Sequence, residues 1–360
     1  MSEPRTTLPR YLASAYTLLV IYASLHPFTG WRDDGTPLMA FLFAAWPRYW
    51  TVWDLFTNVA AYLPLGFIWV PTLQPRLGKP LAAILACLLG ASLSLGLETL
   101  QNYLPTRVAS NLDLGCNALG ACLGAAAGAR WGAALLDGGR LHALRARLIG
   151  EGAMTDAGLV LLGLWLLTQL NPETLLFGNG DLRNLLGFLE VPAPAPYTAQ
   201  QFSRIEAAVV ACNTLAVALA CGCLLRRRRL ALTAALLAAA LCVKSLSLMV
   251  LMDSVSGWAW ATPGSATGLA IGAGLWLAVC WTPRGLRQSL AALSLLLATA
   301  LVNLAPANPY FSAILQVWQQ GHFLNFNGLT RLTSALWPFL VLPWLMALRQ
   351  PSDPPPAEPS

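Results

Sequence analysis

The residues best suited to take part in chemistry lie within and just after an apolar stretch that ends near position 102. Glu98, Gln101 and Asn102 share one helical face, because they are spaced i, i+3 and i+4. A charged side chain at the centre of a membrane-spanning helix costs about 2.5–3.5 kcal/mol on insertion scales, so such residues usually have a partner or a task. Glu98 is therefore the first candidate for a functional carboxylate.

Further polar residues lie toward the same predicted side, at the ends of neighbouring apolar stretches. Two carboxylates in different surroundings can divide acid and base roles, and an arginine can bind phosphate or carboxylate. We predict one outward-facing site in which Glu98 and Asp113 are the catalytic pair, if the protein is an enzyme. The predicted ligand-binding residues are Asn58, Gln101, Arg107, Asn117 and His26.

The same residues could instead form a satisfied network that only fixes helix packing. Polar contacts between helices in membranes contribute about 0.6 kcal/mol on average, so stability alone motivates such a network poorly. We therefore favour a site.

The amino-acid composition of the chain indicates which secondary-structure elements position this site. Hydrophobic residues make up 56% of the 360 positions and charged residues only 11%, whereas soluble domains carry about 25% charged residues. The sequence therefore predicts an all-α, polytopic transmembrane protein, since each crossing needs about 20 apolar residues. We place about ten crossings, near residues 8–25, 54–73, 80–102, 112–131, 157–175, 203–225, 230–252, 266–282, 290–304 and 329–348.

The distribution of basic residues predicts the orientation. With the N-terminus inside, inner segments hold 15 of the 22 Lys and Arg residues and outer segments hold 6. Cytoplasmic loops carry the excess of positive charge in membrane proteins. We therefore expect both termini in the cytoplasm, and we interpret Arg226 to Arg229 as a topological signal facing anionic lipid instead of a nucleic-acid site.

A weak internal repeat suggests how the chain is divided. Ser92-Leu-Ser-Leu recurs as Ser245-Leu-Ser-Leu, and Gly115 meets Gly268 at the same offset. We predict a four-helix unit over residues 1–150, a diverged second four-helix unit over 151–289, and a final helix pair with a disordered cytoplasmic tail over 290–360. Apolar residues replace the acidic and basic positions in the second copy, so we expect residues 151–360 to shape the site without adding another.

Eight cysteines lie in apolar stretches without a C-x-x-C pair. We therefore expect small core residues, and neither a disulfide nor a metal site. No cofactor is expected, because phosphate-loop and dinucleotide-binding patterns do not occur in the sequence.

Four segments together resemble the VanZ-like membrane family, across about residues 10–131. They are Asn58-Val-Ala-Ala-Tyr-Leu-Pro64-Leu-Gly66-Phe, Ser94-Leu-Gly-Leu-Glu98-Thr-Leu-Gln101, Pro105-Thr-Arg107 and Asp113-Leu-Gly-Cys-Asn117-Ala-Leu-Gly120. The resemblance implies a protein of the bacterial inner membrane, in a family whose namesake is linked to low-level teicoplanin resistance.

Three functions remain open. The first is a non-catalytic envelope protein that binds a lipid-linked or amphiphilic compound, including a lipid-linked envelope precursor or a glycopeptide. The second is an intramembrane enzyme acting on an envelope lipid through Glu98 and Asp113. The third, which we favour least, is a proton-coupled transporter with Glu98 as the proton site. The expected partners are membrane lipids and not nucleic acid, and the sequence leaves the oligomeric state open.

Overall fold

A computed structural model describes residues 6–47, 49–183, 185, 198–251, 256–304 and 324–348. All regular structure in these ranges is helical, which confirms the predicted all-α fold class. The chain divides into two compact units, one ending at Asp156 and the other beginning at Ala157. The three-part division into residues 1–150, 151–289 and 290–360 stays a prediction, and its C-terminal tail lies outside the described residues.

In its described residues, the first unit contains four long helices and two short ones. They are α1 (Leu8–Leu25), α2 (Ala40–Phe43), α3 (Val52–Leu77), α4 (Lys79–Gln101), α5 (Asn111–Ala127) and α6 (Gly139–Leu148). A π-helical segment over Gly128–Asp137 continues α5 toward α6. Capping residues define the beginnings of two helices that carry site residues: the Thr51 hydroxyl accepts from the Asp54 amide, and the Ser110 hydroxyl accepts from the amides of Leu112 and Asp113.

The second unit contains six helices in its described residues. They are α7 (Ala153–Thr168), which begins just before the unit boundary, α8 (Ala199–Leu224), α9 (Arg229–Leu251), α10 (Pro263–Val279), α11 (Arg284–Leu304) and α12 (Leu324–Ala347). Helix α8 is the central element, because most of its residues from Val209 to Leu224 are buried and it packs against α9, α10 and α11.

Seven helices in the described residues are long and apolar enough to cross a membrane, and α7 and α10 are shorter apolar helices. Each of the ten predicted crossings overlaps a helix, but the one near residues 157–175 extends beyond the end of α7 at Thr168. Exposed leucines on α4, α5 and α11 fit a lipid-facing surface, since the surrounding solvent of these helices is hydrocarbon. The protein is a multi-pass helical membrane protein.

Helices α3 and α5 approach each other at glycines. A Cβ at Gly124 would overlap the carbonyl oxygen of Leu63, and a Cβ at Gly120 would overlap that of Val59. Small residues allow such backbone contact between membrane helices. Gly120 and Gly124 therefore permit the close approach of α3 and α5, whereas a Cβ at Gly115 on the same helix would meet open space.

The expectation that no cysteine forms a disulfide is wrong for one pair. Cys87 on α4 and Cys122 on α5 are disulfide-bonded, with their Cα atoms 4.8 Å apart. The pairing depends on the close approach of α4 and α5 around Gly90 and Ala121. Since neither cysteine stands in a recognisable motif, the sequence did not predict it.

An apolar cluster within the first unit supports the end that carries the predicted site. It contains Val20 and Leu25 of α1, Tyr62 and Leu65 of α3, Leu97 of α4, and Leu104 of the following loop. Leu97 directly precedes Glu98, and Leu104 precedes Arg107 by three residues. Packing of this cluster therefore fixes the backbone from which both charged side chains project.

Candidate functional site

Asn58 and Asp113 join α3 to α5 directly. Nδ2 of Asn58 donates a 2.7 Å hydrogen bond to Oδ1 of Asp113. Asp113 lies in the first turn of α5, which Ser110 caps, and Asn58 lies in the second turn of α3, which Thr51 caps. Asp54 lies one turn before Asn58 on the same face of α3. Its negative charge acts on the Asp113 carboxylate.

Glu98 is buried, with only 4% of its surface exposed. Its Oε2 accepts a 2.8 Å hydrogen bond from the backbone amide of Ser110, the capping residue of α5. The charges of Asp113 and Arg107 both act on this carboxylate. The side chain therefore points toward the start of α5, where it faces another acid and a guanidinium instead of lipid.

Asn117 lies one turn deeper on α5 and contacts α4. Its Nδ2 donates a 2.9 Å hydrogen bond to the hydroxyl of Ser94, and both side chains are buried. Oδ1 of Asn117 has no hydrogen-bond partner in the described residues, so this amide carries an acceptor whose desolvation is uncompensated.

Gln101 and Arg107 hold the C-terminal end of α1. Nε2 of Gln101 donates a 2.9 Å hydrogen bond to the Ser24 carbonyl. Two nitrogens of Arg107 donate to the His26 carbonyl at 2.6 and 3.2 Å, and one of them lies 3.5 Å from the Ala23 carbonyl. Cationic and amide donors are favourable there because the last carbonyls of a helix lack intrahelical partners.

His26 contributes its backbone carbonyl to this contact, while its imidazole is directed elsewhere. Its Nδ1 lies 3.1 Å from the Tyr22 hydroxyl, and the two rings pack with centroids 5.4 Å apart. The pKa of the Arg107 guanidinium lies below its ordinary value because burial disfavours the charged form, although the charge of Glu98 opposes that shift.

The seven predicted site residues thus form two neighbouring sets. The first, which we call the acidic group, comprises Asn58, Glu98, Asp113 and Asn117. The second, which we call the α1 anchor, comprises Gln101 and Arg107 with the His26 carbonyl. Electrostatic interaction between Glu98 and Arg107 links the two sets. Whether either set binds or transforms a ligand stays a prediction.

One of the three comparisons with known proteins gave a match. Residues 6–131 match the family model described as VanZ/LLP1. The N-terminal unit is VanZ-like. The match covers both sets of residues and confirms the resemblance that the sequence motifs predicted. Neither the comparison with curated proteins nor that with solved structures gave a match.

An apolar groove lies beside the site in the VanZ-like unit. It has a volume of about 610 Å³ and is lined by residues of α1 and α4 together with Met39. Leu97 and Thr99, the neighbours of Glu98 in sequence, both line it. Helix α4 therefore presents an apolar groove on one face and the Glu98 carboxylate on another.

Lys244 and Glu206 are buried charged residues of the second unit that were not predicted as site residues. Lys244 of α9 is 1% exposed, and its Nζ donates to the carbonyls of Asn171 and Thr174 at 2.6 and 2.9 Å. Glu206 of α8 is 2% exposed and accepts a 2.6 Å hydrogen bond from the Thr262 hydroxyl. The signal that identified Glu98, an acid in an apolar helix, identifies Glu206 equally well.

In the described residues, no three His, Cys, Asp or Glu side chains are grouped so that they could hold a metal ion. The acidic group brings two carboxylates and two amides together, a set suited to accepting hydrogen bonds and moving protons.

Proposed function

We propose that the VanZ-like unit binds an amphiphilic, lipid-linked compound of the cell envelope. Its polar part would lie at the acidic group and its hydrocarbon chain in the groove beside α1 and α4. The observation that carries this proposal is the arrangement of α4, which bears Glu98 on one face and lines the apolar groove with Leu97 and Thr99 on another.

The groove favours a hydrocarbon occupant. Its volume of about 610 Å³ lies within the range of about 300–1,000 Å³ found for small-molecule sites. Eight of its ten lining residues are Leu, Ile, Met or Gly, and the polar exceptions are Ser92 and Thr99. A membrane lipid supplies an acyl chain to such a surface without crossing water, because the groove belongs to helices that span the bilayer.

The acidic group favours a headgroup rich in hydrogen-bond donors. Glu98 and Asp113 supply acceptor oxygens, and Oδ1 of Asn117 is an acceptor without a partner in the described residues. Arg107 donates to the end of α1, so a phosphate-binding role for that guanidinium receives less support than the sequence suggested. Sugar hydroxyls or an ammonium group match acceptors of this kind better than a bare phosphate, and a lipid-linked sugar or a glycopeptide carries such groups.

A catalytic role for the same pair is the second candidate. Glu98 accepts a hydrogen bond from a backbone amide, and Asp113 accepts one from a side-chain amide. The two carboxylates also interact electrostatically. Different surroundings of neighbouring carboxylates are how one becomes an acid and the other a base. An intramembrane enzyme acting on an envelope lipid would use this asymmetry.

Lipid analysis of the Glu98→Gln protein tests binding and catalysis together. The lipids that co-purify with the protein and the lipids of the whole membrane would be measured for the wild type and the variant. Glu206→Gln is the matched control, since it makes the same change at an acid of similar burial in the other unit.

Loss of one co-purifying amphiphile in Glu98→Gln alone supports binding, and an altered lipid in the whole membrane supports catalysis. Equal lipid profiles for both variants and the wild type would refute both roles, provided that the variants elute as folded protein. We also propose the bacterial inner membrane as the location, with both termini in the cytoplasm, on the basis of the family match and the basic-residue distribution.

A further inference from the structure

A basic cavity lies in the second unit, around the end of α8 and the start of α9. Its volume is about 530 Å³, and its lining includes Arg226, Arg228, Arg229 and Arg287. No carboxylate is among the described residues that line it. The described lining therefore concentrates positive charge without an acidic side chain to neutralise it.

The arginines lie close enough to influence one another. The charges of Arg229 and Arg284 both act on Arg287. Like charges repel, and the repulsion is strongest where water is scarce. An anion in the cavity would relieve this repulsion.

Capping of α8 accounts for only part of this cluster. Nη1 of Arg287 lies 3.4 Å from the Gly222 carbonyl, and Nε of Arg229 donates a 2.8 Å hydrogen bond to the Leu225 carbonyl. Each guanidinium carries five N–H donors. Helix capping of α8 therefore leaves donors on both side chains for another acceptor.

Arg287 is more buried than we would expect of an arginine that only determines membrane orientation. It is 4% exposed, and its Nε has no hydrogen-bond partner in the described residues. The Thr233 hydroxyl, which also lines the cavity, is fully buried and equally lacks a partner there. Buried donors of this kind are normally satisfied, so two unpartnered groups at one cavity indicate a missing acceptor.

Part of the cavity lining is apolar and aromatic. It includes Leu230, Trp276 and Trp281, and Trp281 is 74% exposed. Tryptophan is enriched at the level of lipid headgroups. A molecule with a phosphate near the arginines and hydrocarbon against these apolar side chains would satisfy both parts of the lining.

We propose that this cavity binds a phosphate group, and that the membrane supplies it as the headgroup of an anionic glycerophospholipid. Basic pockets between spanning helices on the cytoplasmic side bind such headgroups. The basic-residue distribution assigns the Arg226 to Arg229 segment to that side. This site is independent of the one proposed for the VanZ-like unit.

Native mass spectrometry of the full-length protein in detergent tests the proposal, with phosphatidylglycerol and phosphatidylcholine as lipid probes and sodium phosphate as the soluble probe. Arg287→Gln and Arg228→Gln remove donors from the cavity. Arg147→Gln is the matched control, because it removes the same charge from an exposed position on α6.

We expect phosphatidylglycerol to bind about tenfold more weakly to each cavity variant, the effect of losing one charge-assisted hydrogen bond, and unchanged in Arg147→Gln. If Arg287→Gln does not fold, Arg228→Gln decides, since Arg228 lies exposed in the loop before α9. Equal weakening in Arg147→Gln, or equal binding of phosphatidylcholine, overturns the site. Binding of phosphate without phosphatidylglycerol overturns the lipid assignment and supports a soluble phosphate.

Discussion

The 2.7 Å hydrogen bond from Nδ2 of Asn58 to Oδ1 of Asp113 is a polar link between α3 and α5 in the first unit. It lies at the end of a helix pair whose backbones meet at glycine and carbonyl groups. Helix packing therefore brings the Asp113 carboxylate to the site, and Asn58 then orients it.

Removal of the Asn58 amide should destabilise the protein, because it leaves the part-buried Asp113 carboxylate without this donor. We expect Asn58→Ala to lower the free energy of unfolding by about 1–3 kcal/mol. Thermal unfolding in detergent would measure the change. In a double-mutant cycle, Asp113→Asn should make the effect of Asn58→Ala smaller, and purely additive effects would show that the hydrogen bond contributes nothing.

Gly124→Ala should prevent close packing of α3 and α5, because the added methyl group would overlap the Leu63 carbonyl. Overpacking costs about 1–3 kcal/mol where neighbours can shift, and rigid backbone leaves less freedom than a side chain. Size-exclusion chromatography of the expressed protein would report the loss of folded material. Gly115→Ala is the control, since its methyl group meets open space and should be tolerated.

Arg107→Gln should loosen the C-terminal end of α1 while leaving α3 and α5 in place. The guanidinium donates to the carbonyls of His26 and Ala23, and the shorter glutamine cannot reach both. Hydrogen exchange should therefore quicken at residues 22–28 and stay unchanged around Gly120. Unchanged exchange at residues 22–28 would mean that Gln101 holds α1 without help.

Lys244→Met should reduce stability without removing the compound that co-purifies through Glu98. The substitution leaves the carbonyls of Asn171 and Thr174 without their buried donor, at a cost of about 1–3 kcal/mol for each unsatisfied group. Unfolding and lipid content would be measured on the same preparation. Equal loss of the compound in a folded Lys244→Met protein and in Glu98→Gln would show that the second unit takes part in binding. We expect Asp253→Asn, at a position outside the described residues, to leave the compound bound as well.

The orientation can be tested with reporter fusions. We expect a reporter that is active only in the periplasm to be silent at Arg228 and active within the loop that contains Trp46, because inner segments hold 15 of the 22 Lys and Arg residues. Activity at Arg228 would contradict the orientation and would place the acidic group on the cytoplasmic side.

Helix positions could be predicted from the sequence because apolar length is a strong local signal, and Glu98 stood out for the same reason. The partners could not be predicted. The acceptors of Gln101 and Arg107 are backbone carbonyls of α1, and a carbonyl has no sequence signature. Lys244 is a similar case, since both of its close acceptors are carbonyls as well. The spacing of glycines also fails to predict which of them make close contacts. Gly115 lies on α5 with Gly120 and Gly124, but a Cβ there would meet open space.

The contact of glycine with carbonyl recurs in the second unit, where a Cβ at Gly268 would overlap the Ala207 carbonyl. Gly268 follows Ala207 by 61 positions, as Gly124 follows Leu63. These two contacts lie 144 residues apart in the sequence, whereas the predicted repeat pairs Gly268 with Gly115, where a Cβ would meet open space. Every amino acid other than glycine adds at least a methyl group, so any substitution at Gly124 or Gly268 would disturb its contact. Sequence variation in each unit is thereby confined to the remaining surface of the helix pair, where the first unit carries Asn58 and Asp113.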